Sequence, residues 1–284
     1  AALFQGRDLG ILHNPPGSQD FGFYYALTKA GKEFPTDRLL RPFLDVQLPD
    51  GIGLGFDETM EGWYFEGKKA TGTGRDGDLT IAKMVPAAGN PAGGVPCSFT
   101  VRIQIRDINE FIDGFAHEAG LKGTISFGSL DGEAGVKFQI DESTSTFNYL
   151  IVNPKTAEAE MHYHIEFTSD NGKRYVFEGR KYLQKDSAVG TVSIQELLYD
   201  YTTLYCHVYR RDGGALTEIG IALLKFKTFE SIAGLRNIAT LLGTFSVSGT
   251  DNPQLKLQAQ MRYIAFTAQF VQREYDPLAL PVIH

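Results

Sequence analysis

Short runs of alternating apolar and polar residues, separated by turns rich in glycine, dominate the chain from about residue 54 onwards. Alternation with period two is typical of β-strands that bury one face, and many short strands joined by turns indicate a sandwich or a barrel. They predict a mainly β fold, an antiparallel β-barrel of about 8 to 11 strands with an apolar interior. The runs are GWYFEGKKA, DLTIAKMV, SFTVRIQI, GTISFGSL, GVKFQI, TFNYLIV, AEMHYHIEFTS, RYVFEGRKYLQ, TTLYCHVYRR, TEIGIALLKFK and GTFSVSG.

The links between the runs favour antiparallel pairing. Asn171 and Gly172 form the dipeptide preferred in tight hairpins, and Gly213 with Gly214 takes the same place one hairpin later. The glycine-rich segment 72–77 matches neither a dinucleotide-binding nor a phosphate-binding fingerprint. We expect that segment to form a flexible hairpin tip.

Three stretches have helical patterns instead. The first covers 107–112, where Asp107 and Glu110 have the spacing of a capping box. The second covers 229–242, and the third covers 254–274 with apolar residues along one face. We expect this long C-terminal helix to pack against the outside of the sheet.

Residues 1–53 differ from the rest of the chain because prolines recur there among clustered aromatic residues. Proline at this density interrupts helices and central strands. The pattern predicts an extended N-terminal arm that packs through its aromatic residues and offers a contact to a partner or a second copy of the chain. Residues 54–284 then form one barrel domain with its C-terminal helix.

The amino-acid composition disfavours several classes of binding partner and cofactor. The formal net charge of -7 disfavours nucleic acid, which requires a basic surface. No apolar run is long enough to span a membrane, so the chain is predicted to be soluble. Two cysteines are too few for a disulfide framework, which favours a cytoplasmic over a secreted location. No cofactor is predicted, because the chain lacks nucleotide-binding motifs.

The first candidate site lies around Glu58, Trp63 and Tyr64, in the segment that leads into the first clear strand. Glu58 is a candidate buried acid with a catalytic role, or a turn carboxylate that accepts hydrogen bonds from backbone amides. Trp63 and Tyr64 are candidate ligand-binding residues because their rings carry both an apolar body and a polar group.

The second candidate site lies on one strand, where Thr203, Tyr205, His207 and Tyr209 share a face. A face of aromatic rings with polar tips can line a pocket for an apolar ligand. His207 is a candidate general base in such a pocket, since its unperturbed pKa lies near 6.5. The alternative is a histidine with satisfied hydrogen bonds and no catalytic role.

A third pattern places His162, His164 and Glu166 on one face of a strand. Two imidazoles and a carboxylate can ligate a metal ion. The alternative, which the sequence favours, is a solvent-facing surface, because the opposite face of the strand is apolar. No metal is therefore predicted, and these residues are the candidates if one binds.

Seven segments occur along the chain in the order FDETMEGWY, FTVRIQIRDINEFI, LKGTISFGSL, FEGRKYLQKD, DYTTLYCHVYRRDG, IGIALLKFKTF and GTFSVSG. Together they resemble an uncharacterised β-rich module of large cholesterol-oxidase-like members of the glucose-methanol-choline oxidoreductases. The resemblance implies a domain that works beside enzymes of sterols, lipids or other apolar metabolites, and more distantly the chain is similar to lipocalin-type barrels. The flavin-binding fingerprint is absent, so no flavin chemistry is carried over.

Three functions remain open from the sequence. The first is a barrel that holds a sterol, a lipid or an aromatic or polyketide-like metabolite in its interior. The second is a cofactor-free cyclase, isomerase or lyase that acts on such a molecule by acid–base catalysis. The third is a partner-binding domain that uses the N-terminal arm or the C-terminal helix.

Overall fold

A computed structural model describes residues 41–86, 89–153, 159–183, 199–226 and 244–274, with side chains up to residue 270. Most of the predicted N-terminal arm and the whole predicted helix at 229–242 lie outside these residues. The described residues therefore belong mainly to the predicted barrel domain.

Ten strands occur in the described part of the chain, and all of them pair antiparallel. Each corresponds to one of the predicted runs, so the mainly β, antiparallel prediction is confirmed. The strands are β1 (Gly53–Glu66), β2 (Val95–Ile105), β3 (Glu118–Leu130), β4 (Glu133–Gln139), β5 (Thr146–Val152), β6 (Ala159–Thr168), β7 (Arg174–Leu183), β8 (Thr203–Asp212), β9 (Ala215–Phe226) and β10 (Ser246–Ser248).

Eight of the strands close into a barrel. The order is β1-β2-β3-β5-β6-β7-β8-β9, and β9 pairs with β1. β4 adds to β3, and β10 adds to β1 outside this ring. Gly62 is needed where β1 passes between β2 and β9, because a Cβ there would lie 2.0 Å from the carbonyl oxygen of Leu223.

One of the eleven predicted runs, DLTIAKMV, is not a strand. Its first half belongs to helix α1 (Gly74–Ala82). The prediction was wrong because Leu79 and Ile81 alternate as in a strand, whereas the buried positions Asp78 and Ile81 follow helical spacing. The segment 72–77 accordingly leads into a helix and does not form a hairpin tip.

Two other helices match the sequence. α2 (Ile108–Asp113) begins after Asp107, whose carboxylate accepts hydrogen bonds from the backbone N–H groups of Asn109 and Glu110. α3 (Pro253–Glu274) is the predicted C-terminal helix. No helix in the described segments is long and apolar enough to cross a membrane.

α3 covers one end of the barrel rather than the outside of its wall. The Tyr263 ring of α3 lies 5.6 Å from the ring of Phe56 on β1 and 5.5 Å from that of Tyr149 on β5. Both partners point into the barrel, and most of the buried apolar residues of α3 belong to the same apolar core as the barrel interior. We call this end, where α3 meets Phe56 and Tyr149, the capped end.

Aromatic rings fill much of the interior. Phe99 contacts Tyr163 and Phe177, with ring centroids 5.8 and 6.2 Å apart. Phe127 contacts Phe167 at 5.9 Å. An eight-stranded barrel is just wide enough for its own side chains to fill, which is what these contacts show.

Candidate functional site

Three polar side chains contact one another within the apolar interior of the barrel. On β1 the inward positions are Leu54, Phe56, Glu58 and Met60, so Glu58 occupies the place of an apolar residue. β6 and β7 supply the other two, Tyr163 and Lys181 respectively. We call Glu58, Tyr163 and Lys181 the interior cluster.

The carboxylate of Glu58 joins the other two groups. Lys181 Nζ donates to Glu58 Oε1 over 2.7 Å, and the Tyr163 hydroxyl donates to Glu58 Oε2 over 2.8 Å. Lys181 Nζ also lies 5.1 Å from the centre of the Tyr163 ring. Only 8% of the Glu58 side chain and 4% of the Lys181 side chain is exposed, so this ion pair is shielded from water.

Burial and charge together determine the acidity of the phenol. Removal from water raises the pKa of Tyr163 well above its ordinary value, and the negative charge of Glu58 raises it further. Tyr163 is therefore held as a neutral hydroxyl that donates a hydrogen bond. The cluster combines an amine, a carboxylate and a phenol within hydrogen-bond distance of one another.

A group of hydroxyls lies between this cluster and α3. The Tyr149 hydroxyl is 3.0 Å from Thr267 Oγ1 on α3 and 3.5 Å from the hydroxyl of Tyr201. Burial raises the pKa of Tyr149 and of Tyr263, and the charge of Glu58 adds to the rise in both. These hydroxyl groups therefore lie on the side of Glu58 that faces the capped end.

A second polar cluster lies outside the barrel wall, under α1. The imidazole of His207 lies between two carboxylates, with Nε2 at 2.8 Å from Asp78 Oδ1 and Nδ1 at 2.6 Å from Glu218 Oε1. The Tyr182 hydroxyl donates to Asp78 Oδ2 over 2.5 Å. We call Asp78, Tyr182, His207 and Glu218 the outer cluster.

The outer cluster corrects one expectation about β8. Thr203, Tyr205, His207 and Tyr209 do share a face, but this face points outward, because Leu204, Cys206 and Val208 face the interior core. Tyr205 packs with Ile81 of α1 and with other outward apolar residues. His207 is therefore not in the barrel interior, and both of its ring nitrogens are already engaged.

The remaining candidates separate into different environments. Glu58 is a buried acid in the middle of β1, so it is not a turn carboxylate. Tyr64 is fully buried inside the barrel and donates to the carbonyl oxygen of Ile219. Thr203 is buried, and its hydroxyl has no hydrogen-bond partner among the described residues.

Trp63 points outward, where it borders a groove on the barrel surface. The groove has a volume of about 580 Å³ and crosses strands β9, β1, β2, β3 and β4. Glu61, Lys137 and Lys225 also line it. Trp63 is thus separated from Glu58 and Tyr64, which face the interior.

The residues of the third predicted pattern, His162, His164 and Glu166 on β6, make separate contacts with different partners. His164 lies 2.6 Å from Glu178 and 3.3 Å from Glu166. His162 contacts Glu160, and Arg211 contacts Glu166. Within the described segments, no group of three or more His, Cys, Asp and Glu side chains is arranged to hold a metal ion.

Five residues of the two clusters, namely Tyr163, Lys181, Asp78, Tyr182 and Glu218, were not among the candidates from the sequence. Lys181 carried a readable signal, since it follows Tyr175 and Phe177 on the inward face of β7, where a charge is unexpected. Asp78 carried none once its segment was read as a strand. Lys181 and Asp78 each pair with a residue that the sequence did identify, Glu58 and His207 respectively.

Fold and site together define a closed antiparallel barrel with a buried amine, carboxylate and phenol near its capped end. Comparison of the chain with family models, curated proteins and solved structures finds no match. The geometry of the two clusters is therefore the basis for the function.

Proposed function

We propose that the barrel binds an apolar small molecule at its capped end and that the interior cluster recognises a polar group of this molecule. The supporting observation is the buried pair of Glu58 and Lys181. A buried ion pair adds little or nothing to stability compared with apolar residues of similar size. Its presence in an apolar interior is therefore better explained by a function than by a contribution to stability.

The capped end is the point of entry in this proposal. Aromatic contacts such as that between Phe127 and Phe167 fill the interior away from α3. Near α3, hydroxyl groups of Tyr149, Thr267 and Tyr201 lie among the packed aromatic rings. A ligand that displaces part of α3 meets these hydroxyls first and then Glu58.

The resemblance of the segments to a module of cholesterol-oxidase-like oxidoreductases supports sterols, lipids and aromatic or polyketide-like metabolites as the class of ligand. Such molecules combine a large apolar body with one or two polar groups. The interior cluster offers both donors and an acceptor to a hydroxyl or carbonyl group.

Native mass spectrometry and thermal unfolding with decanol, cholesterol and naphthol test this proposal. We expect a 1:1 complex and a rise in the unfolding temperature, since a ligand that binds only the folded protein stabilises it by about 2.7 kcal/mol at 100 times its Kd. Glu58→Gln should weaken binding, whereas Lys122→Met, which removes the exposed pair with Glu142, should not. Equal binding by wild type and Glu58→Gln would place the ligand elsewhere.

A second candidate function is a cofactor-free isomerase, cyclase or lyase. It is favoured by the Glu58 carboxylate, a buried base that two hydrogen-bond donors hold in place and that can take a proton from a bound substrate. Exchange of the α-hydrogens of 2-decanone in D₂O, followed by NMR, measures such a transfer. Catalysed exchange that Glu58→Gln abolishes supports an enzyme, and no exchange with a ketone that binds argues for a binding protein.

A further inference from the structure

We propose that Lys181 forms an imine with the carbonyl group of an apolar aldehyde or ketone bound at the capped end. This inference rests on the proposed function, because it needs an apolar molecule to reach the interior cluster. It names the ligand more narrowly, as a carbonyl compound. The supporting observation is the juxtaposition of Lys181 Nζ, Glu58 and the Tyr163 hydroxyl inside the barrel.

Lys181 is unlike the other lysines in the described segments. Its side chain is 4% exposed, whereas the others are exposed or half-buried at the surface. A lysine in an apolar pocket is the type that forms imines with carbonyl compounds. An apolar aldehyde also concentrates in the same environment.

Glu58 is placed to accept the proton that the amine must lose. The Lys181 ammonium transfers a proton to Glu58 Oε1, its hydrogen-bond partner. The neutral amine attacks the carbonyl carbon, a C–N bond forms, and the C=O π electrons move to oxygen. A proton then moves from nitrogen to oxygen, which gives a neutral carbinolamine.

The second half of the reaction returns the proton. Protonated Glu58 donates to the carbinolamine hydroxyl, the C–O bond breaks, and water leaves as the nitrogen lone pair forms the C=N bond. The product is a protonated imine beside the Glu58 carboxylate. The pair of protonated imine and Glu58 therefore replaces the pair of Lys181 and Glu58. No unpaired charge is left in the barrel, where it would be strongly destabilising.

Tyr163 completes the site as a hydrogen-bond donor. The raised pKa of its hydroxyl keeps it protonated throughout. Its position 2.8 Å from Glu58 Oε2 allows it to stabilise the carboxylate before and after the reaction and to donate to the oxygen that develops charge in between. No other group is required, and atoms and charges balance.

Reductive trapping tests the inference. The folded protein is mixed with one equivalent of decanal and with sodium cyanoborohydride, and the product is digested and mapped by mass spectrometry. We expect the main product to carry the mass of decanal less one oxygen atom on Lys181. Lys181→Arg keeps the positive charge and cannot be trapped in this way, so the main product should disappear. Lys122→Met should leave it unchanged.

Two further measurements separate this inference from the proposed function. Glyceraldehyde, a hydrophilic aldehyde, should label exposed lysines with no preference for Lys181. Decanol cannot form an imine, so its binding reports the proposed function alone. Decanol binding without a decanal adduct on Lys181 would overturn the imine and leave the binding site standing. Failure of both compounds to bind would overturn both proposals.

Discussion

Two adjacent residues of β7 point to opposite sides of the barrel wall and join two clusters of similar composition. Lys181 points inward to Glu58, and Tyr182 points outward to Asp78. In each cluster one buried carboxylate accepts a hydrogen bond from a phenol and another from a basic side chain. The phenols are Tyr163 inside and Tyr182 outside.

The difference lies in the basic group and in what covers it. Inside, one lysine faces one carboxylate, and the barrel wall excludes water from both. Outside, His207 faces two carboxylates, and its side chain remains 20% exposed at the edge of α1. The outer cluster explains how α1 is held on the barrel, whereas the interior cluster holds no separate element in place. This contrast is why the interior cluster is the better candidate for ligand chemistry.

The largest effect should follow from breaking the interior pair. Lys181→Met leaves the Glu58 carboxylate buried without its cation, which should cost about 3–5 kcal/mol of unfolding free energy. The double variant Glu58→Leu with Lys181→Met should recover most of that loss, because two apolar side chains need no compensation. Urea unfolding of both variants measures this.

The exposed pair of Lys122 and Glu142 provides the control, with 56% and 53% of the two side chains exposed. Lys122→Met should cost below about 1 kcal/mol, as for other surface ion pairs. If the double interior variant were as unstable as the single one, the pair would be a structural requirement of the barrel. The functional argument would then lose its basis.

A smaller effect is expected from the outer cluster. Asp78→Asn removes the charge that holds His207 and weakens the bond from Tyr182, which should cost about 1.5–3 kcal/mol because bonds to charged groups are the stronger ones. Asp57→Asn, at the exposed pair with Arg102, is the matched control. Equal unfolding free energies for the two variants would show that Asp78 does not secure α1.

Much of the fold could be predicted from the sequence, because the strand pattern is local. Alternation identified all ten strands, and the pair Asn171 and Gly172 identified a hairpin in which Gly172 adopts a φ of 82°. The failure at Asp78 is also local. A run with Leu79 and Ile81 at alternate positions fits a strand and a short helix, and only the packing of Ile81 against the barrel decides between them.

The candidate site was less predictable, because alternation assigns residues to faces without saying which face is inside. His207 and Tyr205 were grouped correctly and placed on the wrong side of the wall. Glu58 was identified, but its partner Lys181 lies 123 residues away in the chain. A contact at that separation depends on barrel closure, which no local pattern encodes.

The stability of the outer cluster should depend on pH. Hydrogen bonds to Asp78 and Glu218 raise the pKa of His207 from its ordinary value of 6.5. The stabilisation is therefore fully present below about pH 6.5 and is lost as the pH rises through the folded-state pKa. We expect the difference in unfolding free energy between wild type and His207→Gln to shrink from about pH 6 to about pH 9. The pKa of His164 is raised as well, but His164 is present in both proteins, so its contribution cancels in the difference.

A constant difference across this range would mean that His207 acts only through packing. The groups that face it are the carboxylates Asp78 and Glu218 and, on the neighbouring strand β7, Glu178. Because Asp78 and Glu218 are the groups that raise the pKa of His207, the titration of the imidazole is the expected source of any slope.

The smallest effect, an unchanged labelling rate, is expected for His207→Gln when the two buried thiols, Cys97 and Cys206, report the opening of the interior that they face. Burial raises the pKa of both, so neither should react with a thiol reagent until the barrel opens. At a pH above the folded-state pKa of His207 the stabilisation from its charge is lost, so His207→Gln should label as slowly as wild type. Lys181→Met should label about 10² to 10⁴ times faster, since each 1.4 kcal/mol is a factor of ten. Faster labelling of His207→Gln would show that α1 and the interior open together, and the two clusters would then be one cooperative unit rather than two.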